Sequence, residues 1–316
     1  MAAPQPSYTK KTYSSTYPAI SPTLPALSSA GKVILVTGAT GGIGRATSLS
    51  FAASSPKALI LLGRRGDALA ETASLVHANF PSVTISTHQV DLLNSPKLRS
   101  IFSSIVETHG PINTLIHAAG VLAPVVPLIN ADPSTFLDGY KTTVVGTLSL
   151  AQALVLSNPP EHPSVLVNLT TAGIFFPPFA GMGAYVSSKM AAVKLLQAFG
   201  AENPFVRINH VHPGLLDTDM SRELFKSVKL PFGFDDISLP ADSLVWIASD
   251  EGKFLNGKIV FAAWDVEELK EREKEIVGQG PFGGELGIGY SGFPRLMSEF
   301  MFVKLTSSMY QNIWLF

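Results

Sequence analysis

Val33-Ile34-Leu35-Val36-Thr37-Gly38-Ala39-Thr40-Gly41-Gly42-Ile43-Gly44-Arg45-Ala46 changes character twice in one short stretch. Residues 33–36 are apolar and mostly β-branched, the mark of a strand buried on both faces. Glycines follow at 38, 41, 42 and 44, and from Ala46 to Ala53 the composition favours a helix. Glycine lets backbone turn tightly and come close to a pyrophosphate. The start of the helix then presents free N–H groups and the positive end of its dipole to the anion. Glycines that merely turn the chain are the simpler explanation. It loses ground because strand and helix keep alternating downstream.

Outward from that stretch the rhythm is regular. Strands are expected at Ala58–Leu62, Val83–Val90, Ile112–His117, Ser164–Leu169, Phe205–Val211 and Lys258–Phe261. Helices are expected at Asp67–Ala78, Pro96–His109, Pro133–Leu156 (one long helix), Tyr185–Phe199 and Leu239–Ala248. Short apolar strands separated by helices of about a dozen residues imply βαβ units. The expected fold is therefore α/β: a Rossmann-like, doubly wound sheet of seven parallel strands with helices on both faces, in a single domain over residues 31–262. Residues 1–30, with prolines at 4, 6, 18, 22 and 25, read as an extended arm. Residues 263–316 read as a helical and loop extension: a charged helix at Val266–Ile276, a glycine-rich loop at Gly278–Gly289 and an apolar tail.

The composition of the 316 residues excludes several functions. Hydrophobic residues make up 46 % and charged ones 15 %, enough apolar material for a core and too much for a disordered polymer. The net charge of −1 lacks the basic excess that a nucleic-acid partner requires. Cysteine is absent, so thiolate metal sites, disulfides and cysteine nucleophiles are out. The seven histidines are scattered, and His210 and His212 alternate along a strand, so no metal site is expected. The uncharged stretches Thr142–Pro160 and His162–Ser188 are interrupted by Gly, Pro, Asn, Gln and hydroxyl residues and read as buried helix and strand, not as membrane spans. The proline-rich start carries no secretory pattern, and a cytoplasmic location is the expectation.

Cofactor choice is read at the end of the second strand. A site for a free ribose 2′-hydroxyl places an acidic residue about 20 residues beyond the glycines. Here that place holds Gly63-Arg64-Arg65. Arg64 can grip a phosphate, so NADP(H) is expected over NAD. Asp91, just past the third strand, is placed either to meet the adenine or to cap the next helix. Further on, Tyr185-Val186-Ser187-Ser188-Lys189 puts a phenol and an ammonium one helical turn apart on one face. An ammonium near a phenol lowers its pKa from about 10 and makes it useful in acid–base chemistry.

Taken together, the Thr37–Gly44 loop, Asp91, Ala118-Ala119-Gly120, Asn168-Leu169-Thr170-Thr171, the Tyr185/Lys189 pair and Asn209…Pro213-Gly214…Thr218 resemble the short-chain dehydrogenase/reductase family, in its short-form oxidoreductase branch. The lead-in before Gly31 and the Trp264–Leu269 segment are similar to fungal members. The resemblance implies that Gly38, Gly42, Ile43, Gly44, Arg64, Asp91, Ala118, Lys189, Pro213, Gly214, Leu216 and Thr218 bind NADP(H). It implies Tyr185 as the proton donor or acceptor, Lys189 as the group that holds the ribose and depresses the tyrosine, and Thr171 (or Thr170) as the hydroxyl that orients a carbonyl. Three positions depart from the family's habit: threonine at 170 and 171 where serine is usual, His117 before Ala118 where asparagine is usual, and Thr143 where a helix asparagine is usual.

The expected activity is interconversion of a carbonyl and an alcohol by hydride transfer. A catalytically silent NADP-binding partner or sensor is the alternative those departures raise, and a lyase or isomerase reusing Tyr185 is a third. Ile174-Phe175-Phe176-Pro177-Pro178-Phe179 and Leu215, Met220, Leu224, Phe225, Phe232 and Phe234 are expected to wall the cleft at the carboxyl ends of the strands, around an apolar small molecule, aromatic or polyketide-like. The tail Phe300–Phe316 is expected to cap that cleft, pack on a second subunit or rest on a membrane surface. The scarcity of charge on the helices fits burial between subunits, so a homo-oligomer, dimer or tetramer, is expected.

Overall fold

The structure, a computed structural model, describes residues 7–175, 180–224, 233–280 and 286–287. Its strands are β1 (Val33–Thr37), β2 (Ala58–Gly63), β3 (Thr84–Gln89), β4 (Ile112–His117), β5 (Ser164–Leu169), β6 (Val206–His212) and β7 (Ile259–Phe261). They form one sheet in the order β3-β2-β1-β4-β5-β6-β7, and each neighbouring pair is parallel. The strand order reverses at β1, which pairs with both β2 and β4. In open parallel sheets this reversal leaves a crevice beyond the carboxyl ends of the strands.

Side chains on a strand point alternately to the two faces, so a strand covered on both sides is apolar throughout. Ile34, Val36, Leu59 and Leu61 face one way, against α1 (Gly42–Ala53), α2 (Gly66–Asn79) and α8 (Ser238–Ala248), through Phe51, Leu69 and Trp246. Val33, Leu35, Ile60 and Leu62 face the other way. They meet Phe102 of α3 (Ser95–His109), Leu154 of α5 (Gly146–Ser157) and Leu196 of α6 (Gly183–Glu202). Each such fully buried aliphatic side chain contributes about 2 kcal/mol of transfer free energy.

The helix expected over Pro133–Leu156 is interrupted. α4 (Pro133–Tyr140) leads into a π turn, Lys141–Val145, and only then into α5. The Gly146 N–H reaches back to the Lys141 carbonyl, and the Thr147 hydroxyl takes the carbonyl of Thr143. A hydroxyl that bonds back one turn competes with the helix ladder and loosens it there. The charged helix expected over Val266–Ile276 is likewise two, α9 (Val266–Glu271) and α10 (Glu273–Gly278), which meet at Arg272. The short α7 (Asp219–Leu224) follows β6.

The arm is folded onto the body. Its prolines start two single 3₁₀ turns, Pro18–Ile20 and Pro25–Leu27, where a fixed φ and a missing N–H cost nothing. Tyr17, Ile20 and Leu27 are buried in the same core as α8 and β7. The glycine-rich stretch beyond Gly280, save residues 286–287, and the tail Phe300–Phe316 lie outside the described residues.

Candidate active site

The loop after β1 closes against the end of β4. Gly38 has φ +69°, and a Cβ there would lie 2.8 Å from the backbone of Ala119. At Gly44 a Cβ would overlap the Gly38 carbonyl oxygen, so the first turn of α1 sits directly on the loop. Thr72 Oγ1 donates to the Ala39 carbonyl at 2.7 Å and ties the loop to α2. Across from the loop, a Cβ on Gly42 would be 3.5 Å from Thr218 Cγ2. Between them opens a cleft of about 380 Å³, lined by Gly42, Arg45, Ala46, Thr218, Arg222 and Ile237 among others.

Behind the loop, Lys189 is buried and its Nζ donates to the Leu169 carbonyl at 2.8 Å, at the end of β5. The same Nζ stands 6.0 Å from the centroid of the Tyr185 ring. It would be 3.7 Å from a Cβ on Gly120, and Met220 Cε would be 4.0 Å from that point. Glycine loop, Ala118–Gly120 turn, Lys189, Tyr185 and the post-β6 loop thus surround one crevice. That last loop is clamped by Asp235, which accepts from Leu215 N at 3.0 Å and donates its own N–H to the Leu215 carbonyl at 2.7 Å. Its Leu216 side chain is buried beneath. Pro213 and Gly214 (φ +94°) lead into the clamp, and a Cβ on Gly214 would overlap the Asp235 carboxylate.

A family profile described as short chain dehydrogenase matches residues 32–229. The chain belongs to the short-chain dehydrogenase family. Among fungal relatives, the short chain dehydrogenase mpl6 of Monascus purpureus is 28 % identical over 274 residues, covering 84 % of this chain and 92 % of that one. The short chain dehydrogenase/reductase nsrO of Aspergillus novofumigatus is 29 % identical, covering 76 % and 82 %. Among solved structures, a Shigella flexneri short chain dehydrogenase complexed with NADP superposes with a TM-score of 0.67 at 26 % identity, covering 73 % of this chain and 96 % of that one. An Escherichia coli member complexed with NADPH gives 0.65 at 28 % identity, covering 73 % and 96 %.

Within this short-chain dehydrogenase the sequence-derived site residues divide. Gly38, Gly42, Gly44, Ala118, Lys189, Tyr185 and Thr218 lie around the crevice. Ile43 packs against the core beneath the loop. Thr171 Oγ1 accepts from Gly173 N at 3.2 Å in the turn after β5, whereas Thr170 Oγ1 is buried with no hydrogen-bond partner among the described residues. Arg64 is exposed, and its guanidinium makes no hydrogen bond or ion pair among the described residues. The neighbouring Arg65 instead lies along the loop, 3.3 Å from both Thr40 O and Thr40 Oγ1. The doubled arginine was the signal, and consecutive side chains in extended backbone point apart. Asp91 does not cap α3: it accepts from Leu93 N at 2.9 Å, and Asn94 is the cap, accepting from Lys97 N.

Charge in the crevice runs against one expectation. Burial pushes the Tyr185 phenol up to about 12 and pulls Lys189 down to about 8. Desolvation outweighs the ammonium here, because Nζ is directed at the Leu169 carbonyl and not at the phenolic oxygen. The cleft wall also differs. Ile174 is buried against Val193 and Ile259, while Phe175 and Phe234 are exposed. Phe176, Pro177, Pro178, Phe179, Phe225 and Phe232 lie outside the described residues. A second cleft of about 200 Å³ is walled instead by the segment before α4 and its first turn, with Pro124, Val126, Leu128, Phe136 and, from α6, Ala184, next to Tyr185. Among the described residues no cluster could hold a metal ion and no helix is long and apolar enough to cross a membrane.

Proposed function

We propose that this short-chain dehydrogenase interconverts a carbonyl and an alcohol on an apolar small molecule, using NADP(H). The observation that carries the reading is the pairing of Tyr185 with a buried Lys189 at the crevice onto which the glycine loop also opens. The loop suits a dinucleotide, since Gly38 and Gly44 let its backbone pack directly on the Ala118–Ala119 turn and on itself, leaving its N–H groups bare of side chains. Arg65, beside Thr40, supplies the cation that a ribose phosphate needs, with Arg64 next to it. The bound nicotinamide supplies or accepts the hydride. Tyr185 hands its proton to the substrate oxygen during reduction, and a phenol held at about 12 is in the acid form this direction requires. Lys189 keeps positive charge beside that oxygen as it becomes an alkoxide. Thr171 orients the carbonyl, and the apolar cleft beside Ala184 receives the rest of the substrate.

The test is NADPH consumption against a panel of apolar ketones, with wild type and Tyr185→Phe. Wild type turns over at least one ketone and the variant loses about 10²-fold or more; undiminished turnover without the phenol sinks the mechanism. Because burial draws Lys189 to about 8, the reductive rate falls above pH 8 as the ammonium is lost. A catalytically silent dinucleotide-binding protein is the second reading, favoured by threonine at 171 and 143 and histidine at 117. It predicts NADPH binding with no turnover across the panel. Tighter NADH than NADPH binding overturns the cofactor choice. Self-association belongs to the same proposal, since Leu137, Val145 and Leu156 of the α4–α5 unit and Met190 of α6 are exposed; light scattering at a multiple of 33.6 kDa is the expected result.

A further inference from the structure

His117 stands at the end of β4, fully buried, in register with Thr37 of β1 and Asn168 of β5. Both ring nitrogens meet threonine hydroxyls: Nδ1 is 3.0 Å from Thr37 Oγ1 and Nε2 is 3.0 Å from Thr147 Oγ1. The direction of every proton in this network follows from its ends. The Thr143 carbonyl can only accept, so the Thr147 hydroxyl donates to it. Having spent its proton, Thr147 accepts from His117 Nε2–H. Burial, reinforced by the charge of Lys189, holds the imidazole neutral with a pKa of about 3, so Nδ1 carries a lone pair. Thr37 Oγ1 donates to that lone pair, in preference to the Ile116 carbonyl at 3.5 Å, and accepts the Ala119 N–H at 3.1 Å.

We propose that His117 is a positioning residue. It is the centre of a one-way relay from Ala119 N–H through Thr37, His117 and Thr147 to the carbonyl of Thr143 in the π turn. The inference rests on the dinucleotide reading given above. The Ala118–Gly120 turn is wedged between the glycine loop, whose Gly38 touches the Ala119 backbone, and the Lys189 ammonium beside Gly120. Its third restraint is the Ala119 N–H to Thr37 Oγ1 bond, and the relay fixes the orientation of the hydroxyl that accepts it. The relay ties the cofactor side of the crevice to the helix that interrupts itself at Lys141–Val145. A bland core histidine would need only one satisfied nitrogen. His210, its neighbour but one in the same row, shows that case: Nδ1 accepts from Asn168 Nδ2 at 3.2 Å, and Nε2 is buried with no partner among the described residues.

Two measurements on the full chain test the relay. In ¹⁵N spectra of imidazole-labelled protein, His117 shows the neutral Nε2–H tautomer down to pH 5; an Nδ1–H tautomer or an imidazolium overturns the proposal. The second follows NADPH binding by quenching of tryptophan fluorescence. Thr147→Val and His117→Phe raise Kd roughly tenfold, the scale of one lost supporting hydrogen bond. Thr147→Ser, which keeps the hydroxyl, restores it, and the substrate KM stays constant throughout. Equal Kd values for wild type and Thr147→Val, with circular dichroism showing both folded, refute the positioning role. A wild type that binds neither NADPH nor NADH refutes the dinucleotide reading instead, and with it the positioning role; the tautomer spectrum then judges the relay alone.

Discussion

At Gly38 the absence of a side chain sets the structure, and at Tyr17 in the arm its presence does. The Gly38 Cα lies so close to Ala119 that nothing larger than hydrogen fits, and the loop takes its shape from backbone on backbone. Tyr17 stacks on Tyr13 with ring centroids 3.5 Å apart, donates to the Trp264 carbonyl at 3.0 Å and accepts from Val266 N at 3.1 Å. Around it Tyr13 donates to Asp265, both Lys10 N and Lys11 N donate to Glu268, and Arg272 lies 3.6 Å over the Tyr8 ring. The loop is a local device with a functional surface. The arm is a long-range clasp that joins residues 8–17 to residues 264–272 and touches the crevice only from outside, where Asp236 N donates to the Ser14 carbonyl.

The clasp is the larger stability term. Tyr17→Ala is expected to cost about 4 kcal/mol in urea unfolding, as for other large buried aromatics, with NADPH affinity unchanged. A loss below about 1 kcal/mol would mean that the arm only rests on the surface. Gly38→Ala is next, at roughly 3 kcal/mol from left-handed backbone plus overlap with Ala119, and here NADPH binding is lost as well. Gly31 (φ +77°) has open space around its Cβ position and serves as the control. Gly31→Ala is expected to cost about 1 kcal/mol and to leave binding intact. Equal effects at the two glycines would break the close-approach argument.

What could be read in the sequence follows the same division. The inner strands were legible because burial on both faces writes a continuous apolar run, and Ile112–His117 and Ser164–Leu169 came out at the observed bounds; the edge strand β3 alternates instead. The glycine loop and the Tyr185–Lys189 spacing are local too. The clasp was not legible, since Tyr17 finds its partners some 250 residues away and prolines announce only that no long helix forms. The π turn was not legible because nothing in Lys141–Val145 breaks a helix: the residues before and after it are equally helical. Choosing between Arg64 and Arg65 needs the direction of a side chain leaving β2, and choosing between Asp91 and Asn94 needs the first turn of α3 to within one residue.

Acid separates the two regions. His117, His210 and His212 are held down to about 3, 3 and 4 by burial, Lys189 adding to the effect at His117. A folded pKa below the unfolded 6.5 means that the unfolded chain binds more protons between these values, so stability falls as pH drops from about 6.5. Each histidine contributes about 1.4 kcal/mol per pH unit over that window. In the clasp, burial pushes the Asp265 carboxyl up, but N–H groups of Glu268 and Glu267, the Tyr13 hydroxyl and the Lys11 charge outweigh it and leave it lowered from 3.8. Its contribution is present above 3.8 and is lost only as pH falls through its lower folded value. Amide exchange at pH 5 should therefore show the carboxyl ends of β4 and β6 weakened while the arm keeps its protection. The reverse order would contradict the assignment of three neutral buried histidines.

A stability effect as small as that at Gly31 is expected at Thr72, where the loop does depend on a side chain. Its hydroxyl donates to the Ala39 carbonyl at 2.7 Å and receives Arg45 Nε at 3.0 Å, while Arg45 pairs with Glu71 on the surface. Thr72→Val preserves shape and leaves one buried carbonyl without its donor, which costs about 1 kcal/mol. If the loop is set by backbone contact at Gly38 and Gly44, NADPH affinity in this variant changes less than twofold, because Gly38 still rests on Ala119 and Gly44 on Gly38. If affinity falls tenfold, the loop depends on its side-chain ties as the arm does, and the contrast between the two regions becomes one of distance along the chain alone.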